Sequence, residues 1–163
     1  MKDINTEYSW KDRFAADLPL LGHRNLIAVT DMAYPLQTQA GIKTIDTNAP
    51  YMDVLTFVYR EIEKAPHIKA VIYQDKELQY MDESMAAGID SFRRQMKNLL
   101  GDRIKSMWHD QLIARIDEES RKFNVLILKT TQTIAYTSAF FELDCNYWDS
   151  DKENALRMRC NTP

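Results

Sequence analysis

The chain is poor in the residues that most often announce a site. Its 163 residues include two cysteines, four glycines, five prolines and three histidines. The two cysteines, Cys145 and Cys160, form neither a zinc spacing nor a redox pair, and a disulfide between them is not expected in the cytosol. Four scattered glycines exclude a phosphate-cradling glycine-rich loop. No Gly-x-Ser-x-Gly turn is present to hold a serine nucleophile. Three histidines without paired Cys/His partners do not make a metal pattern, so no metal is expected. No apolar run approaches the roughly 18 residues of a membrane span. The start, Met1 to Glu7, is polar and has no apolar targeting core, which points to a cytoplasmic protein without a membrane partner. A net charge of -3 gives no strongly basic surface, so nucleic acid is not the expected partner. Internal repeats and low-complexity runs are also missing.

What remains is an ordinary globular composition, 45% hydrophobic and 28% charged, long enough for one domain with a real core. Ser9 is placed to cap a helix with apolar positions Trp10, Phe14, Leu18 and Leu21, shortened or kinked by Pro19. Gly22 stops that run, and Leu26 to Val29 reads as a buried strand. Asp31 to Lys43 is a loop broken by Pro35 and Gly41, and Thr44 to Asp46 a brief strand. Asn48 as N-cap and Pro50 open a helix with the stripe Tyr51, Val54, Leu55, Val58 and Ile62. A strand at Ile68 to Tyr73 follows. Asp82 to Leu100 reads as one helix, with Met85, Ile89, Phe92, Met96 and Leu99 on one face, ended by Gly101. Further elements are a strand at Ile104 to Trp108, a helix at Asp110 to Lys122, a strand at Val125 to Leu128, and a last strand at Ser138 to Leu143.

Strands alternating with helices predict a single α/β domain with a largely parallel sheet flanked by helices. Residues 1–148 form that domain, and 149–163 a charged C-terminal tail. Ligands on such sheets bind beyond the carboxyl ends of the strands, where Asp31, Trp108 and His109 fall. Each candidate has two readings on local evidence. His23 is either a proton-transfer group or a helix-terminus histidine favoured by the helix dipole. Asp31 is either a ligand anchor or a turn aspartate, and His109 either a ligand contact or a surface residue at a helix start. His67, beside Pro66, reads as a loop residue. The polar connection from Thr130 to Ser138 suits sugar hydroxyls or any turn, and the Tyr136 ring either stacks on a sugar or packs on the core.

Taken together, the segments resemble the D-ribose pyranase / L-fucose mutarotase family over most of the chain, from the helix before Gly22 to about Leu143. Leu21-Gly22-His23, then Leu26 to Val29 and Asp31, is similar to the family's Gly-His, strand, Asp signature, with Pro35 at the family's proline. Thr44-Ile45-Asp46 followed by Pro50 and an amphipathic helix matches the next segment. His109-Asp110-Gln111-Leu112 looks like the ribose branch's His-Glu-Gln-Phe. Tyr136-Thr137-Ser138 sits where the family carries Tyr-Ala-Asn or Tyr-Gly-Asn.

The resemblance implies a cofactor-independent isomerase that interconverts anomers or pyranose and furanose forms of a free ribose- or fucose-like monosaccharide. His23 would be the catalytic proton donor. Asp31, His109, Tyr136, Thr137 and Ser138 would bind the sugar. It also implies a homo-oligomer, typically a decamer in the family. The rival readings are a non-catalytic sugar-binding or sensing protein, and an isomerase for another polar metabolite. Two departures bear on the substrate more than on the fold. The family's aspartate two residues after the histidine is Asn25 here, and the asparagine of Tyr-x-Asn is Ser138. The stretch between Asp46 and Pro50 is shorter, the His109–Tyr136 linker longer, and the C-terminal tail additional.

Overall fold

The computed structural model describes residues 8–161; the polar start at residues 1–7 and the last two residues of the tail lie outside the described residues. Six strands build one sheet: β1 (Leu26–Thr30), β2 (Ile42–Asp46), β3 (Ile68–Asp75), β4 (Ile104–Met107), β5 (Val125–Lys129) and β6 (Ala139–Cys145). Their order is β2-β5-β1-β6-β3-β4. β1, β2 and β5 pair in parallel, as do β3 and β4, whereas β6 runs antiparallel between β1 and β3. The expected α/β domain with a largely parallel sheet is therefore what forms.

β1 is buried along its whole length because both faces are covered. Ile27 and Val29 join one core with Phe14 of α1 (Trp10–Asp17), the apolar stripe of α2 (Tyr51–Lys64), and Ile89, Phe92, Met96 and Leu100 of α3 (Ile89–Leu100). Leu26 and Ala28 point the other way. They join Val125, Ile127 and Phe140 beneath Leu112 and Ile116 of α4 (His109–Glu119). The period-2 alternation of β1 thus feeds two separate cores.

Helix boundaries follow local chemistry. Ser9 caps α1 in a reciprocal capping box with Asp12, and Pro19 cuts the continuing helix to a short 3-10 turn at Leu18–Leu20. Asn48 is not the N-cap of α2. It sits at φ 45° in the turn before the helix, and Pro50 takes the cap position. The single helix expected from Asp82 to Leu100 starts only at Ile89. Gly88 adopts φ 91°, which a continuing helix cannot accommodate, and the Asp82 carboxylate accepts the Ser84 and Met85 amide N–H groups in a separate turn. Met85 is accordingly exposed rather than on the buried face. Residues of the charged tail form α5 (Ser150–Cys160), capped by Asp149, with no buried side chain. Both cysteines are free. Among the described residues no helix is long and apolar enough to cross a membrane.

Candidate active site

The parallel strands end at one edge of the sheet, and the polar side chains gather there. Asp31 follows β1 directly. Its carboxyl is held above the usual range by partial burial, against the Tyr34 amide N–H and the positive charges of Lys129 and His109. β3 runs two residues further than its apolar pattern and ends in Asp75, whose side chain is 1% exposed. The antiparallel setting of β6 brings the residues before it to the same edge: Ala139 pairs with Val29 on one side and Gln74 on the other.

His109 is the first residue of α4, immediately after β4. Its imidazole Nδ1 lies 3.1 Å from Asp75 Oδ1. Its backbone N–H donates to both carboxylate oxygens of Glu77, at 3.2 and 3.1 Å. The Tyr136 ring stands edge-on to the His109 ring, centroids 5.5 Å apart and planes at 88°. Tyr136 holds φ 59°, unusual for an aromatic residue, and its side chain is exposed. Trp108 stacks on Tyr80, ring centroids 6.2 Å apart, and Lys76 Nζ lies 4.6 Å from the Trp108 ring centroid.

Asp75 is the residue that sequence reasoning missed. Burial drives its carboxyl up to about 6. The contact with His109 opposes this, and the negative charges of Glu77 and Asp31 add to it. Its Oδ2 has no hydrogen-bond partner, and neither do the buried hydroxyls of Tyr34 and Tyr51. Both tyrosines are raised above their ordinary range, first by burial. Asp75 and Asp31 add to the rise in each case, and Asp117 adds to it at Tyr34. Unpaired buried oxygens of this kind are costly in a finished core and are the natural partners of a hydroxylated ligand. The available signal was position: Asp75 ends a strand at the same carboxyl edge where Asp31 follows β1.

The other expected ligand residues divide. Thr137 and Ser138 are buried, and the Thr137 hydroxyl donates to the Ile134 carbonyl at 2.8 Å, so that side chain stabilises the turn. Only Tyr136 of the three presents its side chain at the surface.

His23 lies at the opposite edge. β1 separates it from Asp31, and its five residues alone span about 13 Å. One chain therefore brings Asp31, His109 and Tyr136 together and leaves His23 out. Gly22 to Asn25 form a turn in which the Asn25 side chain accepts the Gly22 N–H at 2.7 Å and donates to the Asn124 carbonyl at 3.0 Å. Arg24 sits at φ 75°, and its N–H donates to the Leu143 carbonyl. This turn presents His23 to solvent, 64% exposed, with Nδ1 2.8 Å from Asp144 Oδ1. The pair opens on a cleft of about 630 Å3 that is also lined by Trp148, Glu153 and Asn154 from the C-terminal segment. His67 is tied to the Leu21 carbonyl through Nε2 at 3.0 Å, a structural contact. Among the described residues no three His, Cys, Asp or Glu side chains converge to hold a metal ion.

The architecture is that of the sugar pyranase and mutarotase structures, so the resemblance read from the sequence holds at the level of the fold. Bacillus subtilis RbsD in complex with D-ribose superposes with a TM-score of 0.57 at 14% identity, covering 88% of this chain and 98% of that one. A fucose mutarotase from Streptococcus pneumoniae in complex with L-fucose gives 0.50 at 13% identity over the same shares. FucU from Bifidobacterium longum gives 0.51 at 9% identity, covering 81% and 93%. No protein-family model matches the sequence, and no curated protein matches it at significant similarity.

Proposed function

We propose that this protein is a cofactor-independent isomerase of a free monosaccharide, exchanging anomers or pyranose and furanose ring forms of a ribose- or fucose-like sugar. The observation that carries this reading is the carboxyl-edge cluster. Asp31, Asp75, His109 and Tyr136 combine charged acceptors, an imidazole and an aromatic face around unpaired buried hydroxyls, on the fold of structures solved with D-ribose and L-fucose. Asp31 accepts from sugar hydroxyls, and Tyr136 lies along an apolar sugar face. Opening a hemiacetal needs one group to protonate the ring oxygen and another to remove the proton of the anomeric hydroxyl. A positioned acid or base contributes about 10²–10⁴-fold to such a step.

His23 is the proton donor in this proposal, and a neighbouring copy must supply it, because one chain holds His23 and Asp31 at opposite edges. Its exposure and its Asp144 partner suit a group that completes a site across a subunit contact. The assembly is a closed homo-oligomer, with a decamer as the expected form and the cytoplasm as its location. The separation of His23 from the cluster also favours a second reading: a sugar-binding or sensing protein whose pocket works without His23.

Exchange NMR on free D-ribose and L-fucose tests both. Accelerated exchange between ring forms supports the isomerase. Saturable binding of either sugar with exchange at the uncatalysed rate supports the sensor and overturns the isomerase.

A further inference from the structure

The proton acceptor is not assigned by the reading above. We infer that His109 is the base that takes the proton of the anomeric hydroxyl, and that Asp75 is the positioning residue that holds His109 in the tautomer required. This deepens the mutarotase proposal and rests on it.

The geometry is specific. Asp75 is the last residue of β3 and His109 the first of α4, so each is fixed by a regular element. A carboxylate accepts but cannot donate, so the 3.1 Å contact places a proton on His109 Nδ1. The other ring nitrogen, Nε2, is then the unprotonated one and can accept a proton. The backbone N–H of His109 is anchored on Glu77, and the ring is braced by the edge of Tyr136. The Asp75 contact thus sets the tautomer, and the Tyr136 ring and the anchored backbone hold the imidazole in position while its side chain remains 34% exposed. Asp75 is otherwise hard to explain as structure. It is a buried carboxylate with one oxygen unpaired, in a place where an apolar residue would cost less.

The step balances without a co-reactant. His109 Nε2 takes the proton from the anomeric O–H, whose oxygen becomes the carbonyl oxygen. The bond from the anomeric carbon to the ring oxygen breaks, its electron pair goes to the ring oxygen, and that oxygen takes the proton of protonated His23 from a neighbouring copy. Ring closure on either face of the carbonyl returns both protons and yields either anomer.

Asp75 is surrounded by Asp31 after β1, Glu77 after β3, Tyr51 at the start of α2, Tyr34 in the loop after β1, and His109. Its charge state can therefore be read in the pH dependence of the rate. The test uses the full chain with D-ribose and L-fucose as probes, and combines two measurements. Long-range proton–nitrogen correlation NMR should show His109 with its proton on Nδ1 in the wild type, and a loss of that preference in Asp75→Asn. Asp75→Asn keeps the size and an acceptor atom. It should lower kcat about 10–100-fold, with KM within about twofold, and shift the fall in rate on the acid side of the pH profile. An active wild type with the proton on Nε2, or an Asp75→Asn variant with unchanged kcat and pH profile, overturns the inference and leaves the mutarotase reading standing. A wild type that accelerates neither sugar overturns the mutarotase reading and the proton transfer with it, whatever tautomer His109 holds.

Discussion

His23 Nδ1 and Asp144 Oδ1 lie 2.8 Å apart although 121 residues separate them in the chain. The acid that the family places two residues after its histidine is Asn25 here, and Asp144 at the end of β6 stands beside the imidazole instead. A carboxylate at this distance accepts the Nδ1 proton and orients the ring. His23→Ala should therefore abolish catalysed exchange. Because the side chain is largely exposed, the unfolding midpoint should stay within about 2 °C of wild type. Asp144→Asn should retain about a tenth of the activity or less. NMR exchange rates together with thermal melts check both, and a fully active His23→Ala would remove His23 from the mechanism.

Asn25 has a different task. Its two side-chain hydrogen bonds close the turn that carries His23 and tie it to the chain before β5. Asn25→Ala should cost about 1–2 kcal/mol of stability, measured by urea unfolding. Asn25→Asp should not raise activity, since Asp144 already holds the imidazole.

Asp75 makes the fold less stable at neutral pH. Its carboxyl is raised from 3.8 to about 6 in the folded protein, by burial first. Between those values the folded state binds more protons than the unfolded state, so stability falls as pH rises through the window and stays lower above it. Removing the charge with Asp75→Asn should raise stability at pH 7.5 by up to about 3 kcal/mol, a gain that shrinks towards pH 4. Denaturation curves at the two pH values measure it. An equal effect at both would mean that the carboxylate is not protonated more readily in the folded state.

Opposite placement of His23 and Asp31 makes a mixing experiment decisive for a shared site. His23→Ala and Asp31→Ala should each be inactive as pure proteins. Co-refolded in equal amounts, they should recover up to about a quarter of wild-type activity if each site takes His23 from one copy and Asp31 from the next. No recovery, in mixtures shown by native mass spectrometry to contain both chains, would exclude a site built from two copies.

Much of the sheet was legible because β1 and β5 are short apolar runs, the pattern of strands buried on both faces. Asp75 was not. Gln74 and Asp75 complete β3 with polar side chains, and hydrophobic periodicity has no means of counting a buried carboxylate as part of a strand. Met85 misled in the opposite direction: it lies four residues before Ile89 and so fits a helical stripe, but the left-handed Gly88 between them starts the helix afresh. α5 left no apolar period to read, since none of its side chains is buried. The pairing of His23 with Asp144 depends on the antiparallel placement of β6 beside β1, a tertiary fact. Strand ends alone placed Asp31 and His109 at one edge, whereas Tyr136 entered through the polar connection before the last strand; the resemblance grouped His23 with them although β1 lies between His23 and Asp31.

β6 has one end at each edge. Tyr136 precedes it beside His109, and Asp144 lies near its finish beside His23. The strand therefore works as a ruler between the two halves of the proposed chemistry, with a span of about 20 Å. A residue inserted or deleted within 139–145 would shift its register against both β1 and β3 and misplace both histidine settings at once.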